Sequence, residues 1–279
     1  MTLPNLSNSM YVARLRYIQS IHEAPQRRNP DTLVRHFLPM FDRLRAAWIG
    51  QDKLARLRAD PFYYYLVART RYYDQVFSEA VLDGAKRIIS VGCGSDTRSH
   101  RFEPLLRDHG VTVLECDQSE AIHTKRRVAK RKWPFGHVEY LPIDLNDDGW
   151  PELDSRLGTR GDPKALVVME GVSPYVNDSN FRRFLLLLSS RLPVGSHVAY
   201  DFKLRGVEED FGRTGRTQNP FRLSPASDEV RAFHETCGLR LHHLELSSEL
   251  SARLLPGLAD PAIPSFKEDG LVRLQVGGA

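Results

Sequence analysis

Two glycines and a series of acids at strand ends carry the chemistry available to this chain. Gly92-Cys93-Gly94 follows directly on Ile88-Ile89-Ser90-Val91, a short apolar run rich in β-branched residues. Glycine permits tight turning and lets a ligand approach the backbone closely. The next apolar run, Val111-Thr112-Val113-Leu114, ends in Glu115-Cys116-Asp117. A carboxylate at that tip can accept hydrogen bonds from ribose hydroxyls. Asp144, just past the run His137 to Ile143, can accept one from an adenine amino group. Glu170 and Tyr175 follow the continuous run Ala165 to Met169, and ligands of open α/β sheets bind beyond the carboxyl ends of strands. The set implies a cofactor with an adenosine end.

The same stretch narrows the choice of cofactor. Thr97 stands where the dinucleotide fingerprint G-x-G-x-x-G wants its third glycine, which argues against a nicotinamide dinucleotide. The stretch has no P-loop pattern. Asp96 beside the turn would repel a pyrophosphate, whereas a cationic cofactor, S-adenosylmethionine, tolerates it.

These residues need a sheet to hold them. With 279 residues and 41% hydrophobic content, the chain can build one large α/β domain, or a domain with an added cap. Residues 1–80 carry no strand pattern and divide from 81–279 as a helical cap. Tyr11, Leu15 and Ile18 have helical spacing. Asn29 or Asp31 can cap a helix carrying Leu33, Phe37 and Leu38, and another helix is expected from Arg43 to Leu57. Pro61 behind Asp60 opens a tyrosine-rich helix. Its tyrosines, Tyr63 to Tyr73, suit either core packing or an aromatic substrate pocket. Arg69 and Arg71 lie two apart and cannot share its face.

Ser119 to Lys132 reads as a helix with a basic, solvated face, ended by Pro134 and Gly136. Asn177-Asp178-Ser179 caps a helix running to Leu188, and Ser196 to Phe202 reads as a fifth strand. Gly206 to Asn219 has the composition of a loop. A helix from Ser227 ends at Gly238, and Leu239–Leu246 and Leu271–Val276 can form a closing antiparallel pair.

Composition bounds the partners. A formal charge of +4, with acids and bases mixed, does not argue for nucleic acid. Three cysteines without a C-x-x-C pair fit a reducing compartment and offer no zinc site. His242 and His243 are adjacent on a strand, face opposite ways and make a poor metal pair. No apolar run approaches a membrane span and Met1 to Met10 is too polar for a signal peptide, so a cytoplasmic protein without a membrane partner is expected.

Ala68-Arg69, Gly92-Cys93-Gly94-Ser95-Asp96-Thr97, Glu115-Cys116-Asp117, Asp144-Leu145 and Glu170-Gly171-Val172-Ser173-Pro174-Tyr175 occur in that order. In this the chain resembles the leucine carboxyl methyltransferase family, including bacterial O-methyltransferases of polyketide-type pathways. The resemblance implies a Rossmann-like class I methyltransferase sheet, mostly parallel with an antiparallel closing strand, under a substrate-selecting N-terminal helical cap. It implies S-adenosylmethionine as cofactor. Arg69 would hold the methionine carboxylate, and the backbone of Gly92, Cys93 and Gly94 would pass beside methionine and ribose. Asp117 would take the ribose hydroxyls, Asp144 and Leu145 the adenine, and Glu170 would lie near the methionine amino group. The family's N-terminal basic residue maps to Arg14.

A carboxylate acceptor needs no base and a hydroxyl acceptor benefits from one. Tyr175, Tyr200 and His197 are the candidates for it, with Lys203 nearby. The expected reaction is O-methylation of a small molecule, as in secondary metabolism. Alternatives are a protein C-terminal carboxylate, a nitrogen acceptor suggested by Ser173-Pro174-Tyr175, and cofactor binding without turnover.

Overall fold

The computed structural model describes residues 8–133, 137–206, 219–255 and 265–277. The proposed helix stop at Pro134 and Gly136, most of the loop reading over 206–219, and the first residues of the signal-peptide reading lie outside them.

Four helices come first: α1 (Asn8–His22), α2 (Met40–Ala47), α3 (Gln51–Arg58) and α4 (Pro61–Leu82). Then follow β1 (Arg87–Val91), α5 (Arg98–Arg101), α6 (Glu103–Asp108), β2 (Thr112–Asp117), α7 (Ser119–Lys132) and β3 (Val138–Pro142). The second half contains α8 (Pro151–Asp154), β4 (Ala165–Met169), α9 (Asp178–Arg191), β5 (His197–Leu204) and β6 (Arg222–Leu223). It closes with α10 (Ser227–Thr236), β7 (Leu239–Leu246), α11 (Ser247–Leu254) and β8 (Asp269–Val276).

The strands form one sheet in the order β3-β2-β1-β4-β5-β8-β7, with β6 paired to β5. β3, β2, β1, β4 and β5 are parallel, while β8 runs antiparallel between β5 and β7. The order reverses between β1 and β4, so the crevice of a doubly wound sheet opens beyond their carboxyl ends. β4 reads as an unbroken apolar run, and β1 after its first residue as a run broken only by Ser90, because helices cover both faces.

Alternate residues serve the two faces. Ile88, Val113, Leu166 and Val168 pack with α1, α4 and α11. Ile89, Leu114, Val167 and Met169 pack with Phe181, Phe184, Leu185 and Leu188 of α9. α4 is the longest helix described and lies along the first face. Asp60 accepts a hydrogen bond from the Phe62 amide and Pro61 fills the first turn, where no amide partner is needed. Tyr63, Tyr64, Tyr65, Tyr72 and Tyr73 are all buried, which answers the tyrosine question in favour of packing.

Two expected helices are cut differently. The Arg43–Leu57 helix is two, α2 and α3, because the chain turns extended at Gly50, whose carbonyl starts α3. The helix capped at Asp31 is a single 3₁₀ turn, Leu33–His36, stopped by Pro39 although Asp31 does accept the Val34 amide. After the glycine turn, the two short helices α5 and α6 meet at Phe102, with Pro104 in the first turn of the second. β6 and α11 had no recognised sequence signal.

Candidate functional site

Gly92 and Gly94 adopt positive φ, +67° and +39°, so the chain doubles back at the end of β1. A side chain on Gly92 would meet Val172 Cγ2 at 2.2 Å, so glycine is required for β1 to sit against the loop after β4. At Gly94 the nearest atom to such a side chain would be Ser9 of α1, at 3.9 Å. The backbone there is open, with α1 roofing it.

From this turn, one hydrogen-bonded chain links the ends of three strands. The Gly94 amide donates to Asp117 Oδ2 at 2.7 Å, and Asp117 Oδ1 accepts the Gln118 amide at 2.7 Å. Gln118 Nε2 donates to Asp144 Oδ2 at 2.7 Å, and Asp144 Oδ1 accepts the Asn146 amide. Asp117 and Asp144 remain half-buried with accepting capacity to spare, while Leu145 beside them is buried in the core.

Across the crevice the geometry is dense and ionic. Arg69, in the middle of α4, donates to Glu170 at 3.2 Å and to Asp201 at 3.3 Å. Arg98, at the start of α5, reaches Glu170 at 2.6 Å, Asp96 at 2.8 Å and Asp74 at 2.9 Å. Glu170 therefore bridges two arginines from two helices. Burial opposes its ionisation, but Arg98, Arg69 and Arg16 overrule it and hold its carboxyl below the usual range. The same holds for Asp96, where Arg98 leads the opposing charges. Asp201 goes the other way: burial raises it despite Arg69, with Asp269 adding to the rise. Its Oδ1 accepts the Gly171 amide at 2.6 Å and the Tyr73 hydroxyl at 3.0 Å.

The N-terminal segment is latched over the turn. Arg16 pairs with Asp31 at 3.1 Å and donates to Ser95 at 3.4 Å, while Thr97 donates to Asp31 at 2.6 Å. Thr97, the residue that breaks the dinucleotide fingerprint, is thus the tie to the cap. Arg14 does not reach the turn; it pairs with Asp42 of α2. Arg16 replaces it as the basic residue facing the site, and its buried Nε has no hydrogen-bond partner.

Other expectations shift as well. Asp96 is paired to Arg98, so it does not present the bare charge that the case against a pyrophosphate assumed. Tyr200 is fully buried, with its hydroxyl 2.6 Å from His234 Nε2. His197 lies at the amino end of β5, next to His242, so the structure brings neither to the crevice. Ser173 is buried and donates to the Asp201 carbonyl at 2.7 Å, pinning the loop to β5. Tyr175 stays half-buried on that loop. Lys125, read as solvated, is buried beneath the turn, 3.0 Å from Glu115 and 3.2 Å from the Cys93 carbonyl. Its spacing from Ile122, Val128 and Ala129, the buried stripe of α7, was the available signal. Among the described residues no group of histidine, cysteine and acid side chains gathers as a metal site. No helix among them is long and apolar enough to cross a membrane.

The family model described as leucine carboxyl methyltransferase matches residues 9–187, more than half of the chain. A Mycolicibacterium paratuberculosis protein named "Putative S-adenosyl-L-methionine-dependent methyltransferase" is 24% identical over 265 residues, covering 88% of this chain and 82% of that one. A Mycobacterium tuberculosis protein of the same name is 27% identical over 222 residues, covering 73% and 70%. Among solved structures, a Thermobifida fusca protein titled a putative methyltransferase aligns with TM-score 0.59 at 12% identity, over 95% of this chain and 94% of that one. The cyclase SpnF aligns with TM-score 0.51 at 14% identity, over 78% and 83%. These two likenesses speak to fold, and one fold hosts more than one chemistry.

Proposed function

The chain belongs to the leucine carboxyl methyltransferase family and is an S-adenosylmethionine-dependent methyltransferase; from that premise we propose that its acceptor is an oxygen, hydroxyl or carboxylate, of a small molecule. The observation that carries this reading is the latch of Arg16, Asp31, Thr97 and Ser95, which holds the N-terminal helices across the glycine turn. A roofed crevice suits a compact acceptor better than a protein terminus or a nucleic acid.

The residues present fit the cofactor. The backbone at Gly94 is open, and Arg16, whose buried Nε has no hydrogen-bond partner, acts with Arg69 on Glu170. On this reading Arg69 and Arg16 hold the methionine carboxylate through charge-assisted hydrogen bonds, and Glu170 takes the amino group. The Gly92, Cys93 and Gly94 backbone passes alongside. Asp117 binds the ribose hydroxyls, and Asp144 and Leu145 hold the adenine edge and face. When bound, S-adenosylmethionine supplies a methyl group on a sulfonium.

The chain's own contribution is alignment, which can supply several kcal/mol of the barrier. Arg98 fixes Glu170 and Asp96, so the binding groups are set before the ligand arrives. α1 lies over one side of the turn, where Ser9 is the nearest side chain to Gly94. For a hydroxyl acceptor, Tyr175 is the one of the three proposed bases on the loop beyond β4; it would receive the acceptor's proton as a phenolate, having first released its own to solvent. A carboxylate acceptor leaves it no such task.

The test is calorimetry with S-adenosylhomocysteine beside NAD, followed by transfer of labelled methyl to pooled small hydroxyl and carboxyl compounds and to peptides with free C-termini. Micromolar binding of the first ligand alone, with label on small-molecule oxygen, is the expected result. Label on the peptide carboxylate or on nitrogen overturns the acceptor assignment. Binding without transfer to any acceptor overturns turnover itself.

A further inference from the structure

α2 is amphipathic in the wrong sense for a surface helix. Such helices bury their apolar stripe and show polar residues to water. Here Asp42 and Ala46 face inward, with Asp42 paired to Arg14. Met40 (59%), Phe41 (72%), Leu44 (50%) and Trp48 (85%) stand exposed. At about 100° per residue, these four side chains span an arc of roughly 100° on the side opposite Asp42 and Ala46. Arg43 and Arg45 flank the arc on either side.

The surroundings are basic. Arg35, Arg43, Arg131 and Lys132 converge on His36, which burial and then these charges push below its ordinary value. Arg45, Lys53 and Arg56 are exposed on α2 and α3. The acids of α2 and α3 themselves are Asp42, which is paired, and Asp52. An aromatic and aliphatic arc flanked by arginines has the chemistry of a helix lying in a lipid headgroup layer, where long cationic side chains reach out to phosphates. A second copy of this chain is a poorer occupant, because a two-fold contact would set these arginines against themselves.

We propose that α2 is a docking surface for an anionic lipid bilayer, with Met40, Phe41, Leu44 and Trp48 at the acyl boundary and Arg43 and Arg45 on headgroup phosphates. This is a peripheral contact, separate from the crevice and independent of the acceptor assignment.

The full chain would be floated with phosphatidylcholine vesicles, with and without about 30% phosphatidylglycerol. The variants are Phe41→Ser/Trp48→Ser and Arg43→Gln/Arg45→Gln, with S-adenosylhomocysteine affinity and light scattering measured on each. The expected result is retention on the anionic vesicles only, weakened by salt and reduced at least tenfold in both variants. Cofactor affinity stays unchanged in both. Three results overturn the proposal: no retention, equal retention of the variants, or a dimer that Phe41→Ser/Trp48→Ser dissolves. Retention on an immobilised acidic protein but not on vesicles also overturns it.

Discussion

The two halves of the crevice are built on opposite plans. Around Glu170, two arginines and three acids are enclosed and paired at 2.6 to 3.3 Å before any ligand is present. Around Asp117 and Asp144, neutral hydrogen-bond donors align half-buried carboxylates that keep accepting positions free. Enclosing charges costs desolvation that their mutual attraction does not always repay, so such a cluster is weak evidence for stability. On the function proposed above, it fixes geometry at one end, where direction of approach matters, while the other end would only have to recognise.

That contrast can be broken experimentally. Arg98→Met leaves Asp96, Asp74 and Glu170 short of their shared partner. It should lose about 3–5 kcal/mol of folding stability by chemical denaturation. A loss under about 1 kcal/mol would mean the ionic half is no more committed than the open one.

Asp117→Ala should do the reverse. Folding stability stays nearly constant, and S-adenosylhomocysteine affinity falls by about 1–3 kcal/mol in a calorimeter. Unchanged affinity in the folded variant removes Asp117 from the ribose.

Acid separates the ionic half from the rest of the core. Glu170 and Asp96 have lowered values, so their stabilisation is present above the ordinary carboxylate range and is lost only as pH falls below it. His234 is different: burial pushes it down to about 4, and its Nδ1 donates to the Val230 carbonyl. The unfolded chain takes up a proton near pH 6.5 and the folded chain does not. Stability should therefore fall by roughly 1.4 kcal/mol per such histidine between pH 7 and 5.5. His234→Gln should flatten that fall in denaturation curves, and an unchanged slope would place the acid sensitivity elsewhere.

The smallest effect belongs to Asp144→Ala, about 0.5–1.5 kcal/mol in S-adenosylhomocysteine affinity with no change in melting. A loss as large as that of Asp117→Ala would make the recognition half a single cooperative unit.

The open half was the more legible one. Gly92, Gly94, Asp117 and Asp144 are fixed by local pattern, a strand followed by a turn or an acid, and need no knowledge of what packs beyond. The ionic half depends on helices brought in from elsewhere. Glu170 was singled out by its place beyond a strand end and Arg69 by the order of motifs, while Arg98, which ties them together, was passed over because one cation after a turn looks like any other. Choosing Arg16 over Arg14 required the rotation of α1 about its axis. The buried polar stripe Arg16, Gln19, Ser20 and Glu23 encodes that rotation, but polar spacing is easily overlooked when hydrophobic spacing is sought. The mostly parallel sheet with its antiparallel closing pair was legible from alternating helix and strand, while the break at Gly50 was hidden within a run of good helix formers.

β8 enters the sheet between β5 and β7 although it follows both in sequence. A growing polypeptide that has emerged as far as Leu246 therefore leaves most of one side of β5 unpaired, and β7 has no neighbour to join. An unpaired strand edge is a template for the wrong chain. During synthesis, the interval before residues 269–276 appear is when this protein is most exposed to aggregation and most dependent on whatever shields nascent chains.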